Sequence, residues 1–194
     1  MIWVITSPDA IPGEGIIIGE LLQAGASRVL IRKPGWTMEQ YIGLLAHIDP
    51  VCYPRIVIRD HALLAGVYGL AGVHWSGMQA AANKNTLITT RENSIGIHTI
   101  SEITSTDIRY NTLLLSPVFD SISKPGYAGR HQAILVNNRR TVLALGGVDH
   151  TNIHLLKQWH FSGAALLGSI WRTPEKAVEH YSRMQQLWNK SDLM

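Results

Sequence analysis

Eight short β-rich runs, with helical stretches between most of them, set the tightest limit on how this 194-residue chain can fold. They are Ile2–Thr6, Arg28–Ile31, Ile56–Ile58, Gly72–His74, Ser94–Ile97, Thr112–Leu115, Val142–Leu145 and Ala164–Leu167. Strands that alternate with helices read as βα units, and these build a parallel sheet. For eight strands the natural solution is a closed (β/α)8 barrel, the TIM barrel. Helical patterns are clearest over Gly15–Ala24, Thr37–His47, Ser101–Ile108, Thr151–Trp159 and Pro174–Trp188. Thr37 reads as an N-cap with Gln40 in the capping-box position, and Pro174 suits a first helical turn. A full helix is hard to place in Ser76–Arg91 and Gly129–Arg140. The chain falls below the ~250 residues typical of such a barrel, so its helices must be shortened. No linker or low-complexity tract divides it, and residues 1–194 read as one α/β domain.

With 46% hydrophobic and 16% charged residues, the chain can bury a core and is not disordered. Its formal charge of +3 is small and scattered. That argues against a nucleic-acid partner and suits an anionic small molecule. The single cysteine, Cys52, excludes an internal disulfide and fits a reducing compartment. It follows Asp49-Pro50 in an expected loop and reads as an inert thiol. No span approaches 18 apolar residues, so neither a membrane helix nor a membrane partner is expected. The opening MIWVITSPDA lacks a basic segment and reads as the first strand. A cytoplasmic protein is the expectation.

In a barrel of this kind the active site gathers from residues just after each strand. Those residues are Arg32-Lys33, Arg59-Asp60-His61, His74, His98-Thr99, Ser116-Pro117 and the stretch from Asp120 to Lys124, then Gly146-Gly147 and Gly168-Ser169. The two glycine turns end successive strands and precede helices, which is the build of a phosphate site in the last two loops. Tight turning alone is the plainer reading of such glycines. Arg32, Lys33, Arg59 and Lys124 are of the type that clamps phosphate or diphosphate, guanidinium bidentately and ammonium as a point charge. Asp60 is the principal acid and a candidate Mg²⁺ ligand, because Mg²⁺ commonly takes one or two carboxylates plus substrate phosphate oxygens. Arg59 and Asp60 also suit a simple rim ion pair. His74, between Val73 and Trp75, reads equally as a packed histidine, and His98 is ambiguous in the same way. His150 and His154 are four apart, a zinc-compatible spacing without a third ligand in reach.

Taken in order, LIRKP (30–34), IVIRDHALLAGVYGLAGVHW (56–75), SIGIHT (94–99), LLSPVFDSISK (114–124), LALGGV (143–148) and GAALLGSI (163–170) resemble the thiamine phosphate synthase/TenI superfamily, from Ile2 to about Trp171. The resemblance implies thiamine biosynthesis: a transferase couples hydroxymethylpyrimidine diphosphate with thiazole phosphate and releases pyrophosphate. It gives Arg32 and Lys124 to the diphosphate, and makes Asp60 one of two acidic Mg²⁺ ligands. It sets Ser121 and Ser123 where threonines are usual, and puts the thiazole phosphate on Gly147 and Ser169 with the neighbouring amides of Gly146 and Gly168. Lys33, Arg59, His74 and His98 complete the expected substrate contacts. A homodimer stays open.

The chain departs from that pattern at several places. Leu30 replaces a glutamine, Pro34 a lysine, Arg59 the asparagine before the metal-binding aspartate, and His98 a serine. The loop Trp75–Gln79 lacks the second acid, so Mg²⁺ is expected to bind weakly and to depend on diphosphate oxygens. Pro117 stands where the TenI-type thiazole tautomerase has its acid/base histidine, although His74 and His98 are of a type that can carry protons. The alternatives to the synthase are therefore that tautomerase and a binding or regulatory barrel without turnover.

Overall fold

The structure, a computed structural model, describes residues 1–82, 90–120, 135 and 140–190. Its strands are β1 (Ile2–Ile5), β2 (Arg28–Ile31), β3 (Ile56–Arg59), β4 (Gly72–Trp75), β5 (Glu92–Ile97), β6 (Thr112–Leu115), β7 (Thr141–Leu145) and β8 (Gly163–Leu166). Each pairs in parallel with the next, and β8 pairs with β1, so the barrel closes. Alternation along the strands sorts side chains into two layers. Val4, Val29, Ile31, Ile56, Ile58, Leu113, Leu115 and Val142 face outward into the larger core under the helices. Trp3, Ile5, Leu30, Val57, Ala71, Leu114, Leu143 and Ala165 fill the barrel itself. The interior is thus a packed core closed to solvent, and anything bound must sit above it.

The helices are α1 (Glu14–Gln23), α2 (Met38–Leu45), α3 (Ala62–Val67), α4 (Gly77–Ala82), α5 (Glu102–Ser105), α6 (Leu155–Gln158), α7 (Gly168–Trp171) and α8 (Ala177–Lys190). Thr37 and Gln40 form the expected capping box. The helix expected over Ser101–Ile108 is only α5, because the Arg109 N–H donates back to the Asp107 carboxylate and turns the chain. The one expected over Thr151–Trp159 shrinks to α6. Asp149 accepts from the Thr151 amide and hydroxyl, and Asn152 accepts from the Asp149 amide, which holds 149–152 in a turn. His150 and His154 therefore do not share a helix face. Pro174–Lys176 is a 3-10 turn that leads into α8. Cys52 lies buried in a second 3-10 turn, Pro50–Arg55, where burial pushes its thiol pKa up, in keeping with an inert side chain. Among the described residues no helix is long and apolar enough to cross a membrane.

One buried ion pair ties α1 to the end of β2. The Lys33 ammonium donates to both Glu14 carboxylate oxygens, at 2.7 and 2.6 Å, and to the Asp9 carbonyl at 2.7 Å. The Trp36 ring covers it at 5.0 Å, and neither side chain of the pair is more than 2% exposed. Burial is the main influence on Glu14 and raises its pKa, against the pull of Lys33. Removing one partner of such a pair leaves an uncompensated buried charge, whereas an apolar replacement of both does not. Glu14→Gln is expected to lower stability by about 3–5 kcal/mol, and Glu14→Leu with Lys33→Met to recover most of that. Urea unfolding of the three proteins checks it; equal midpoints would show that the pair contributes nothing.

Candidate functional site

The alternation that fills the barrel also aims its last residues. Counting by twos from Leu30 and Val57, the next inward positions are Arg32 and Arg59. Register then aligns them: Ile31 pairs with Ile58, which sets Arg32 level with Arg59; Arg59 pairs with His74, and His74 with Ser94. Four adjacent strands thus contribute one row, Arg32–Arg59–His74–Ser94, directly above the apolar interior. Arg32 is anchored through its backbone, whose N–H donates to the Thr6 hydroxyl at 2.9 Å. Desolvation, and then the Arg59 charge, lower its pKa.

Asp60 follows β3 in the left-handed region, at φ 57°, an uncommon conformation for a residue other than glycine. Its N–H donates to the His74 carbonyl at 3.0 Å. Carboxylate Oδ1 accepts the Ser76 N–H at 2.7 Å, and Oδ2 accepts Arg59 Nε at 3.3 Å. This donor set does not fit a resident Mg²⁺. Both oxygens are already engaged, a guanidinium touches one of them, and the described residues hold no group of three His, Cys, Asp or Glu arranged around a metal position. The same observation answers the zinc-compatible spacing of His150 and His154.

Lys33, an expected substrate contact, has its ammonium enclosed by Glu14, Asp9 and Trp36 and does not reach the row. His98 sits across the mouth and is exposed. Its Nδ1 lies 3.1 Å from the Ser116 carbonyl, and Glu102 accepts the His98 and Thr99 N–H groups at 2.9 and 2.7 Å. Lys124, Ser121 and Ser123 lie outside the described residues.

At the β7 turn, Gly146 and Gly147 take φ of +91° and +68°. The space around Gly147 allows no side chain, since a Cβ there would stand 2.2 Å from the Asp120 carbonyl oxygen. The Gly146 carbonyl accepts the Phe119 N–H at 3.0 Å, so this turn also seats the loop after β6. Past β8, α7 has only four residues and offers a small dipole. The feature of that turn that points to a ligand is the Ser169 hydroxyl oxygen, which is buried without a hydrogen-bond partner among the described residues. Beside it lies a pocket of about 180 Å³ lined also by Asp149, His150, Arg172, His180 and Arg183.

Sequence reading missed Glu14, Ser94, Thr6, Arg172 and Arg183. Ser94 was within reach, because counting back by twos from His98 arrives at it. Glu14 carried no short-range signal, since its partner is 19 residues away.

The thiamine monophosphate synthase family model matches residues 4–170 of the chain. Among solved structures the chain is similar to a thiamine phosphate pyrophosphorylase from Bacteroides thetaiotaomicron, with 22% identity, a TM-score of 0.78 and 97% of each chain covered. A thiamine phosphate pyrophosphorylase from Pyrococcus furiosus is 14% identical at a TM-score of 0.77, covering 98% of this chain and 96% of that one. Phosphoribosyl anthranilate isomerase from Thermus thermophilus is 16% identical at 0.60, covering 96% of this chain and all of its own. At these identities the structures share the fold. No curated protein matches the sequence significantly.

His74 reports on the electrostatics of the row. Its Nδ1 lies 3.0 Å from the fully buried Ser94 hydroxyl. Burial first, and then the charges of Arg59 and Arg32, push its pKa down to about 3. The native protein therefore keeps His74 neutral, while the unfolded chain takes up a proton near pH 6.5. Stability is unaffected by this group above about pH 6.5 and falls as pH drops toward 3, by at most about 1.4 kcal/mol per pH unit. Urea midpoints between pH 7 and 4 should fall more steeply for the native protein than for His74→Asn. Parallel slopes would show that His74 protonates freely in the folded state.

Proposed function

The chain belongs to the thiamine monophosphate synthase family, and from that membership we propose that it joins hydroxymethylpyrimidine diphosphate to thiazole phosphate and releases pyrophosphate. The observation that carries the reading is the row of Arg32, Arg59 and neutral His74 on β2–β4, across the barrel from the glycine turn after β7 and the Ser169 hydroxyl after β8, which has no partner among the described residues. The first offers charge to a diphosphate, the second a cradle to a phosphate monoester, and a coupling reaction needs both anions held in one mouth.

In this reading the bond from the pyrimidine methylene to the diphosphate oxygen breaks, and its electron pair leaves with the pyrophosphate. The thiazole nitrogen then donates its lone pair to the stabilised pyrimidine cation. The protein's part is positional and electrostatic. Arg32 and Arg59 neutralise charge that grows on the leaving group, and Lys124 joins them by the family pattern. Neutral His74, held by Ser94, adds a polar group without a third positive charge. Ser121 and Ser123 border the substrates in the same pattern, and His98 lies at the exposed rim. Gly146, Gly147, Gly168 and Ser169 hold the thiazole phosphate through backbone N–H groups and the Ser169 hydroxyl.

Incubating the purified protein with both precursors should yield thiamine phosphate and pyrophosphate in equal amounts. Arg32→Ala is expected to lower kcat/KM by roughly ten- to a hundredfold, the cost of about one charge-assisted contact. Thiazole phosphate binding without product would assign the barrel to ligand binding alone. Isomerisation of a thiazole substrate without coupling would assign it to the tautomerase branch.

A further inference from the structure

Arg32 and Arg59 pose a problem that the fold does not solve by itself. They end adjacent strands, level with one another and on the same face. Neighbouring strands lie about 4.8 Å apart, and like charges directly opposite one another destabilise a sheet. Among the described residues, Asp60 is the one carboxylate bonded into this row, and it offsets one charge of the two. It engages Arg59 through Nε, and among the described residues both terminal NH2 groups of that guanidinium are left for another acceptor. Its second oxygen is held by the backbone of Ser76, so the carboxylate orients Arg59 and is not free to turn toward a metal. Residues 83–89, 121–134 and 136–139 contain no Asp or Glu, so no carboxylate from those segments can complete a metal shell.

We infer that Arg32 and Arg59 together bind the diphosphate directly, in the place where the resemblance implies Mg²⁺. The identity of the diphosphate ligand rests on the proposed function; the anion site does not. Each guanidinium presents a planar fork of N–H donors that matches phosphate oxygens bidentately, and two forks side by side suit two linked phosphates. The substitution that makes this possible is Arg59, where the family pattern has an asparagine. It brings a fixed positive charge to the position that would otherwise help to hold a metal, and its contact with Asp60 would have to break before a cation could approach.

Calorimetric titration with inorganic pyrophosphate, in EDTA and in Mg²⁺, tests the inference on the intact protein. The wild type should bind in EDTA, with affinity altered less than about threefold by Mg²⁺. Arg59→Asn should weaken binding in EDTA by roughly tenfold or more, and Arg59→Lys, which keeps charge but loses the fork, by less. Thermal unfolding confirms that the variants are folded, and the wild-type comparison stands without them. Binding that appears only with Mg²⁺, no binding in either condition, or undiminished binding by folded Arg59→Asn would overturn the inference. The coupling assay keeps the two readings separate. Pyrophosphate binding in EDTA without thiamine phosphate formation sustains this site and sinks the synthase. Product formed only with Mg²⁺, with no pyrophosphate bound in EDTA, does the reverse.

Discussion

Two guanidinium groups held level on adjacent strands, with one carboxylate bonded beside them, set the electrostatics of the described part of this barrel's mouth. The apolar interior below them leaves no route for charge to relax downward. Asp60 is held at a left-handed φ by the His74 carbonyl and the Ser76 N–H. Such a conformation persists in a non-glycine residue only when its surroundings fix it. In that position the carboxylate fixes the Arg59 plane. The same positive field helps to keep His74 neutral, and a neutral imidazole beside Ser94 can be buried where an imidazolium could not.

The charge of the mouth is set as much by what is withdrawn from it. Lys33 directly follows Arg32 and so points to the other side of the chain, where Glu14 encloses it. A lysine left in the mouth would add a third cation, on a flexible stem, to the pair. Paired with the first residue of α1, it instead fastens the loop after β1 to the loop after β2. Among the described residues, the positive charge left at the mouth is thus carried by Arg32 and Arg59 at strand ends, where the sheet fixes direction.

The barrel was legible because its signal repeats: eight short apolar runs, each ending in polar or glycine positions, mark the strands even where the helix that follows is a single turn. Strand positions were read within about two residues, and the family-level resemblance rested on motifs at strand ends. Helices were read less well. α5 and α6 are single turns whose ends are set by side-chain bonds from Glu102, Asp107, Asp149 and Asn152 to nearby backbone, and hydrophobic periodicity is blind to those. In the site, Arg32, Arg59, Asp60 and His74 followed from their places just after strands. The fate of Lys33 did not, because it depends on Glu14 across 19 residues. The engaged state of both Asp60 oxygens was equally invisible, since one partner is a backbone N–H from the next loop.

The glycine turn shows how a motif can be right about shape and indifferent about chemistry. Gly147 must lack a Cβ because the Asp120 carbonyl approaches where that atom would be. This requirement would hold in a barrel that bound nothing. What would favour a phosphate at this turn is a group left unsatisfied among the described residues. The Ser169 hydroxyl is such a group: a buried unpaired donor costs roughly 1–3 kcal/mol. An oxyanion acceptor at the turn would remove that cost on binding. In the last two loops, then, the glycines make room, and under the proposed function the Ser169 hydroxyl gives an anion a chemical reason to occupy it.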